Sequence, residues 1–166
     1  NEKIFTFWEP KDAMPAYIKL CIETWKKYLP DYEVVILDYS NYEDWIGKDC
    51  YDSSLRTNFS LPKQADAIRA AVLNKHGGIW MDADTIVLSS EVKDLFATNT
   101  EFTIISRHIA VLSSIKNSMI ANHWMKECQS RITKYKELKE KGALTKDLEV
   151  YYYLGNGPIN DLLNQV

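Results

Sequence analysis

QADAIRAAVLNKHGGIWMDADTIVL, residues Gln64 to Leu88, reads as a helix, a glycine turn and a strand interrupted by two aspartates. Lys63 to His76 is built of helix formers with no internal Gly or Pro. Pro62 stands just ahead, where a missing N–H costs little. Ala65, Ile68 and Val72 fall at i, i+3 and i+7, one apolar stripe. Gly77 and Gly78 supply the positive-φ stop that helix ends commonly use. Ile79 to Met81 is a short apolar strand. Asp82-Ala83-Asp84 breaks it, and Thr85 to Leu88 is expected to resume it.

Two carboxylates inside an apolar run must meet a cation, hydrogen-bond donors or water, because an unpaired buried carboxylate is expensive. A hard divalent cation such as Mg or Mn satisfies them, since it takes oxygen ligands and is usually shared with substrate phosphates. A strand-end turn with two solvated aspartates is the plain alternative. Asp66 and Arg69 share a helix face at i and i+3, off the apolar stripe. Taken alone they would make a surface ion pair worth about 0.2–0.5 kcal/mol.

The chain of motifs, Ala-Asp-x-x-Arg (65–69), Gly-Gly-Ile-Trp (77–80) and Asp-x-Asp (82–84), is far more specific than any part. It resembles the DXD-containing sugar transferases. These include bacterial capsular polysaccharide synthesis enzymes, yeast initiation-type mannosyltransferases and, more distantly, the large clostridial glucosylating toxins. The resemblance implies an α/β fold of the GT-A nucleotide-sugar type, a mostly parallel sheet flanked by helices. It also implies retaining transfer of a sugar, with Mn or Mg. Asp84 would hold the metal directly, and Asp82 would touch the metal's water or the ribose. Arg69 would set a positive charge against the diphosphate, and Asp66 would accept from sugar hydroxyls. A UDP-sugar is expected rather than a GDP-sugar, with a glycan or lipid-linked glycan of a capsule or surface polysaccharide as acceptor. The resemblance is close over about Lys3 to Leu95 and looser beyond. Relatives run longer and carry a C-terminal polar or histidine residue that completes the site. The sequence stops at Val166 before any such residue, as in a trimmed chain or a compact member.

Length and composition set the bounds. A sequence of 166 residues is expected to form one domain, 1–166. The net charge of −3 gives no electrostatic case for nucleic acid. No stretch approaches the roughly 18 apolar residues of a membrane span, and no signal peptide is visible. Cys21, Cys50 and Cys128 are odd in number and widely spaced, which fits reduced cytoplasmic thiols. The resemblance to capsule enzymes adds the expectation of a peripheral position at the inner face of the membrane.

The remainder is read outward from that centre. Lys3 to Trp8 is a buried first strand that stops at Pro10. In the resembled family the aromatic end of this strand lies beside the nucleotide base, so Trp8 is a candidate to stack on it, worth roughly 1–3 kcal/mol. Pro15 to Tyr28 is an amphipathic helix, and Tyr32 to Asp38 a second, near-continuously apolar strand. Together they form a βαβ unit whose carboxyl edge is where ligands bind in open α/β sheets. Asp38, at that edge, reads as a polar strand end or a ribose contact.

Tyr39 to Pro62 is expected to be an irregular surface excursion with one helical turn at Asn41 to Ile46, and Arg56 is expected to be solvated, with phosphate binding as the alternative. A short helix is expected from Ser89 or Ser90 to Phe96, and a strand over Thr103 to Ser106. Ile115 to Ala121 is similar to a family segment near the donor sugar, which makes Asn117 and Ser118 candidates for sugar hydroxyls. Arg107-His108 follows a strand and could face a phosphate. His76 and His123 are read as structural. Lys134 to Lys141 is a solvated helix face. Tyr151 to Tyr153 is a strand or a helix end, and Gly155 to Pro158 a turn before a last helix.

Two other functions fit parts of the sequence. Met81 to Val87 also fits the first motif of a haloacid-dehalogenase-type phosphatase, with Asp82 as nucleophile and Mg as cofactor. That motif normally opens its domain, and the later paired-aspartate motif is missing here. A non-catalytic nucleotide-sugar binding domain is the third reading.

Overall fold

The computed structural model describes residues 2–96 and 99–165. Strands β1 (Lys3–Phe7), β2 (Glu33–Leu37), β3 (Gly78–Met81), β4 (Phe102–Ile105) and β5 (His108–Ser114) form one sheet in the order β2-β1-β3-β5-β4. β1 runs parallel to both β2 and β3, β5 runs antiparallel to β3, and β4 antiparallel to β5. Four strands therefore share one direction and β5 alone opposes it. This is the mostly parallel α/β sheet expected.

Helix α1 (Ala16–Tyr28) covers one face of the sheet. Its stripe of Ile18, Ile22 and Trp25 packs with Ile4, Ile79 and Met81. Helices α2 (Tyr42–Ile46), α3 (Ser54–Asn58), α4 (Leu61–His76), α5 (Met119–Glu140) and α6 (Asn156–Leu163) gather on the other face. There Phe5, Leu37, Trp80 and Leu112 meet Val72, Trp124 and Ile159. The strict alternation along β1 and β3 sorts side chains between the two cores, as the period of two requires.

The α4–β3 turn explains the glycine pair. Gly77 has φ +66°, and a Cβ there would sit 2.7 Å from the Lys116 nitrogen. At Gly78, φ is +103°, and a Cβ would meet the Lys3 carbonyl at 2.8 Å. Only glycine lets β3 enter between β1 and β5 so soon after the helix.

Three expectations are corrected. Residues 39–62 are no surface excursion: Tyr42, Ile46, Tyr51, Leu55 and Phe59 are buried on α2, α3 and the turns around them. Gln64 donates to the Phe59 carbonyl, and the Tyr51 hydroxyl to the Ala67 carbonyl, so the segment is bonded onto α4. Arg56 is exposed, as expected, and its guanidinium lies over the rings of Tyr39 and Tyr42.

Thr85 to Leu88 does not resume the strand. The ladder ends at Met81, and the chain turns away to α1. There Trp25 donates to the Thr85 carbonyl, and Thr24 accepts from the Val87 N–H. Gly155 to Pro158 is not a free turn either, because α6 begins at Asn156.

β1, β2, α1, α4 and β4 agree to within a residue or two, as does the short element after Leu88, a 3₁₀ turn at Ser90–Leu95 capped by Ser89, whereas β5 was not expected, α5 begins fifteen residues before Lys134, and Tyr151 to Tyr153 lies in a turn. The three cysteines are buried and free. No described helix is long and apolar enough to cross a membrane.

Candidate functional site

The site forms where β3 runs out at the carboxyl edge of the sheet. Trp80 and Asp82 are two residues apart and point to the α4 side, while Met81 and Ala83 point to the α1 side. The Trp80 indole N–H donates to Asp82 Oδ1 at 2.9 Å. Arg69, reaching up from α4, donates to the same oxygen at 2.9 Å. Its guanidinium lies over the Trp80 ring, 4.8 Å from the centroid, and donates to the Ile109 carbonyl of β5 at 2.5 Å. Asp66 Oδ1 lies 3.4 Å from the same guanidinium.

Asp66 and Arg69 are therefore not a surface pair. Their side chains are 11% and 5% exposed, and they form the floor of the site with Asp82. The reason is α4's position between the sheet and α5. Ten of its residues, Gln64 and Asp66 to Asn74, are buried, so the polar face finds β3 where water was expected. From this position the guanidinium fixes Asp82.

The Asp82 N–H donates to the Ala110 carbonyl and the Asp82 carbonyl accepts from Thr85, which closes a turn over Ala83 and Asp84. Ala83 is buried and anchors that turn, while Asp84 is exposed. Among the described residues no hydrogen bond or ion pair engages the Asp84 carboxylate. Two aspartates one residue apart are thus held differently. Asp82 keeps Oδ2 available on a fixed carboxylate; Asp84 keeps both oxygens available on an exposed side chain.

A cleft of about 390 Å³ opens over these groups. Trp8, Tyr17, His108, Tyr151, Tyr152 and Asn156 line it beside Asp66, Arg69, Asp82 and Asp84. Thr6 Oγ1 and Arg69 Nε, both in residues that line it, are buried without a hydrogen-bond partner. Such atoms cost about 1–3 kcal/mol each unless a ligand or water meets them. A larger cleft, about 670 Å³, lies at the opposite sheet edge beside Lys3, Gly77 and Lys116. Among the described residues Glu2 is its only acidic lining residue, so chemistry rather than size selects the smaller one.

Burial pushes the Asp66 carboxyl up to about 6, Arg69 and Lys63 pulling it down and Asp82 adding to the rise. A raised folded-state value means that the folded protein holds this proton longer than the unfolded chain does. The stability cost is absent below about pH 4, grows as pH rises from about 4 to 6, and is complete above that, roughly 3 kcal/mol. Urea unfolding at pH 4.5 and 7.5 checks this. The loss of stability between the two is expected to be smaller in Asp66→Asn than in the parent by about 2 kcal/mol. Equal losses would show that Asp66 ionises freely in the fold.

Of the sequence-predicted residues, Trp8, Asp66, Arg69, Asp82 and Asp84 come together in the cleft, and His108 joins them. Asn117 does not. β5 runs antiparallel to β3, so Ser114 pairs with Gly78 at the start of β3, and Asn117 follows at the far edge, its N–H on the Asn74 carbonyl. Ser118 caps α5 there, accepting from the Ala121 N–H. Asp38 accepts from the Ser40 N–H and hydroxyl, a polar strand end. His76 packs against Phe5 and Trp45.

Trp80, Tyr151, Tyr152 and Asn156 were missed. Period two along β3 pairs Trp80 with Asp82, a signal present in the sequence; no local signal brings Tyr151 to Asn156 to the cleft.

A divalent cation fits the donor set in one way only. Among the described residues no three His, Cys, Asp or Glu side chains are gathered as a metal group. Asp84 and the free Asp82 oxygen are hard oxygen donors on one turn. That suits Mg or Mn held by one or two carboxylates with phosphates and water completing the shell.

Comparison with known proteins gives a family and a fold. The family model for capsular polysaccharide synthesis protein matches residues 1–156. Among solved structures, PaToxG glycosyltransferase is similar over 99% of this chain and 69% of its own, with a TM-score of 0.64 at 19% identity. At that identity the likeness shows a shared fold. No curated protein matches the chain.

Proposed function

The chain belongs to the capsular polysaccharide synthesis protein family and has a glycosyltransferase fold. On that premise we propose that it moves a sugar, with retention, from a UDP-sugar to a glycan or lipid-linked glycan acceptor. One observation carries the reading: Asp82, pinned by Arg69 and Trp80, stands beside a free Asp84 at the carboxyl edge of β3. Catalysis by this site would rest on charge placed in advance of the reaction.

Asp84 and Oδ2 of Asp82 would hold Mn or Mg, which would supply Lewis-acid neutralisation of the departing diphosphate. The chain's own groups do the rest. Arg69 and Trp80 hold the Asp82 carboxylate in one rotamer. Asp66 accepts from hydroxyls of the sugar. Trp8 stacks on the base. Arg69 is a positioning residue. Its charge lies under the site and steadies both aspartates.

The phosphatase reading loses its footing here. A carboxylate nucleophile tied to a guanidinium and an indole N–H is deactivated, and the motif lies on the third strand. The reaction belongs in the cytoplasm, peripheral to the membrane's inner face, where nucleotide-sugars and lipid-linked acceptors would meet.

The test is donor breakdown followed by proton NMR, with UDP-glucose, UDP-galactose, UDP-N-acetylglucosamine and GDP-mannose. With Mn, at least one UDP-sugar is expected to release sugar slowly to water, with release stopped by EDTA and GDP-mannose spared. Inert UDP-sugars together with rapid hydrolysis of p-nitrophenyl phosphate in Mg would overturn the proposal.

A further inference from the structure

The turn that carries Tyr151 and Tyr152 stands apart from the rest of the surface. Both rings are exposed, 72% and 56%, yet the backbone beneath them is tied down. The Tyr152 carbonyl accepts from the N–H groups of Gly155 and Gly157. Tyr153, next in sequence, is buried, its hydroxyl on the Arg131 carbonyl and its own carbonyl on the Arg131 guanidinium. The Leu154 carbonyl accepts from the Trp124 indole at 2.7 Å. Two large aromatic faces are thus presented to solvent from an anchored turn. A floppy loop would hide such rings, whereas a rigid support presents them ready for a partner at little entropic cost.

Their place in the cleft follows from the sheet. Across its carboxyl edge come Trp8 after β1, Asp82 after β3, and His108 with Ile109 on β5. Gly155 packs at the β5 end: a Cβ there would meet Asp66 Oδ2 at 2.7 Å and Ile109 Cδ1 at 2.9 Å. Lys63, on the first turn of α4, donates to the Glu149 carbonyl and closes the same side. The tyrosine turn therefore lies beyond the carboxylates as seen from Trp8. A donor laid from Trp8 across Asp82 and Asp84 ends with its sugar near Asp66. The group that receives the sugar must approach from the remaining side, where Tyr151, Tyr152 and Asn156 stand.

We propose that Tyr151 and Tyr152 form the acceptor platform, on which sugar rings of a glycan chain stack, with Asn156 beside them for a hydroxyl. This rests on the glycosyltransferase reading above. An aromatic face is apolar and a phenol edge polar, which matches a pyranose, with its C–H faces and hydroxyl rim. The net charge of −3 and the open carboxylates disfavour an acidic acceptor at this place, so a neutral glycan is the occupant.

The experiment uses cellopentaose, maltopentaose and chitopentaose as probes of the full chain, by saturation-transfer NMR and titration, beside calorimetry with UDP and Mn. At least one oligosaccharide is expected to bind in the millimolar range. The Tyr151→Ala/Tyr152→Ala double variant should weaken it at least tenfold and leave UDP affinity within twofold. The Tyr151→Phe/Tyr152→Phe variant, which keeps both faces, should retain binding within about threefold. Both tyrosines are exposed, so neither variant threatens the fold, and unchanged melting checks that. If UDP binds while no oligosaccharide does, or oligosaccharides bind the alanine variant as well as the parent, the platform is wrong and the transferase reading stands. If UDP itself fails to bind, the reading beneath both is wrong.

Discussion

Arg69→Ala is expected to lower the melting temperature by about 10 °C. The substitution strands two carboxylates, Asp66 and Asp82, that share one guanidinium in the floor of the cleft. Removing one partner of a buried ionic group costs about 3–5 kcal/mol, because the remaining charge stays buried and uncompensated. In a chain of this size each kilocalorie shifts melting by about 2–4 °C. It also removes the cation under the Trp80 ring and a donor to the Ile109 carbonyl, so α4, β3 and β5 lose a common tie. Calorimetric or circular-dichroism melts at pH 7.5 read this directly. Arg69→Met combined with Asp66→Asn and Asp82→Asn should recover part of the loss, since uncharged groups leave no buried charge behind. A loss under about 1 kcal/mol in Arg69→Ala would mean that water already solvates the carboxylates.

Asp84→Ala is expected to do the reverse, sparing the fold and removing the function. Asp84 is exposed, and no interaction among the described residues holds its carboxylate. Surface substitutions of this kind stay within about 0.5 kcal/mol. Donor turnover with saturating Mn should nevertheless fall at least about a hundredfold, roughly 2.7 kcal/mol of lost stabilisation. The contrast between the two variants is what the geometry demands. One residue builds the site from below, and the other faces the ligand. An Asp84→Ala variant with full turnover in Mn would remove this aspartate from the chemistry.

Much of this was legible in the sequence, for reasons that can be named. The α4–Gly-Gly–β3 unit has strong local signals: a glycine pair that only a positive-φ turn needs, and carboxylates that an apolar strand cannot tolerate without a purpose. Trp8 is a candidate through the family resemblance, and the parallel β1 and β3 bring it to the same carboxyl edge as Asp82. The burial of Asp66 and Arg69 was not legible, because it depends on what covers α4. The cover comes from residues 39–62 and from α5, whose Trp124 and Cys128 lie about fifty residues further on. Asn117 failed for a single topological reason. Strand direction is not written in local sequence, and the reversal at β5 carries residue 117 to the wrong edge. Thr85 to Leu88 kept a strand-like composition, yet lost its partner when Asp82 and Asp84 turned the chain toward Thr24 and Trp25.

The central claim is that the Asp82–Asp84 turn and its cleft bind a nucleotide through a divalent cation. Isothermal titration of UDP into the protein, with Mn and then with EDTA, tests it most directly. The account predicts micromolar binding in Mn that falls at least tenfold in EDTA, and weaker binding of GDP throughout. UDP that binds equally with and without Mn, or that binds in neither condition to folded protein, would contradict it.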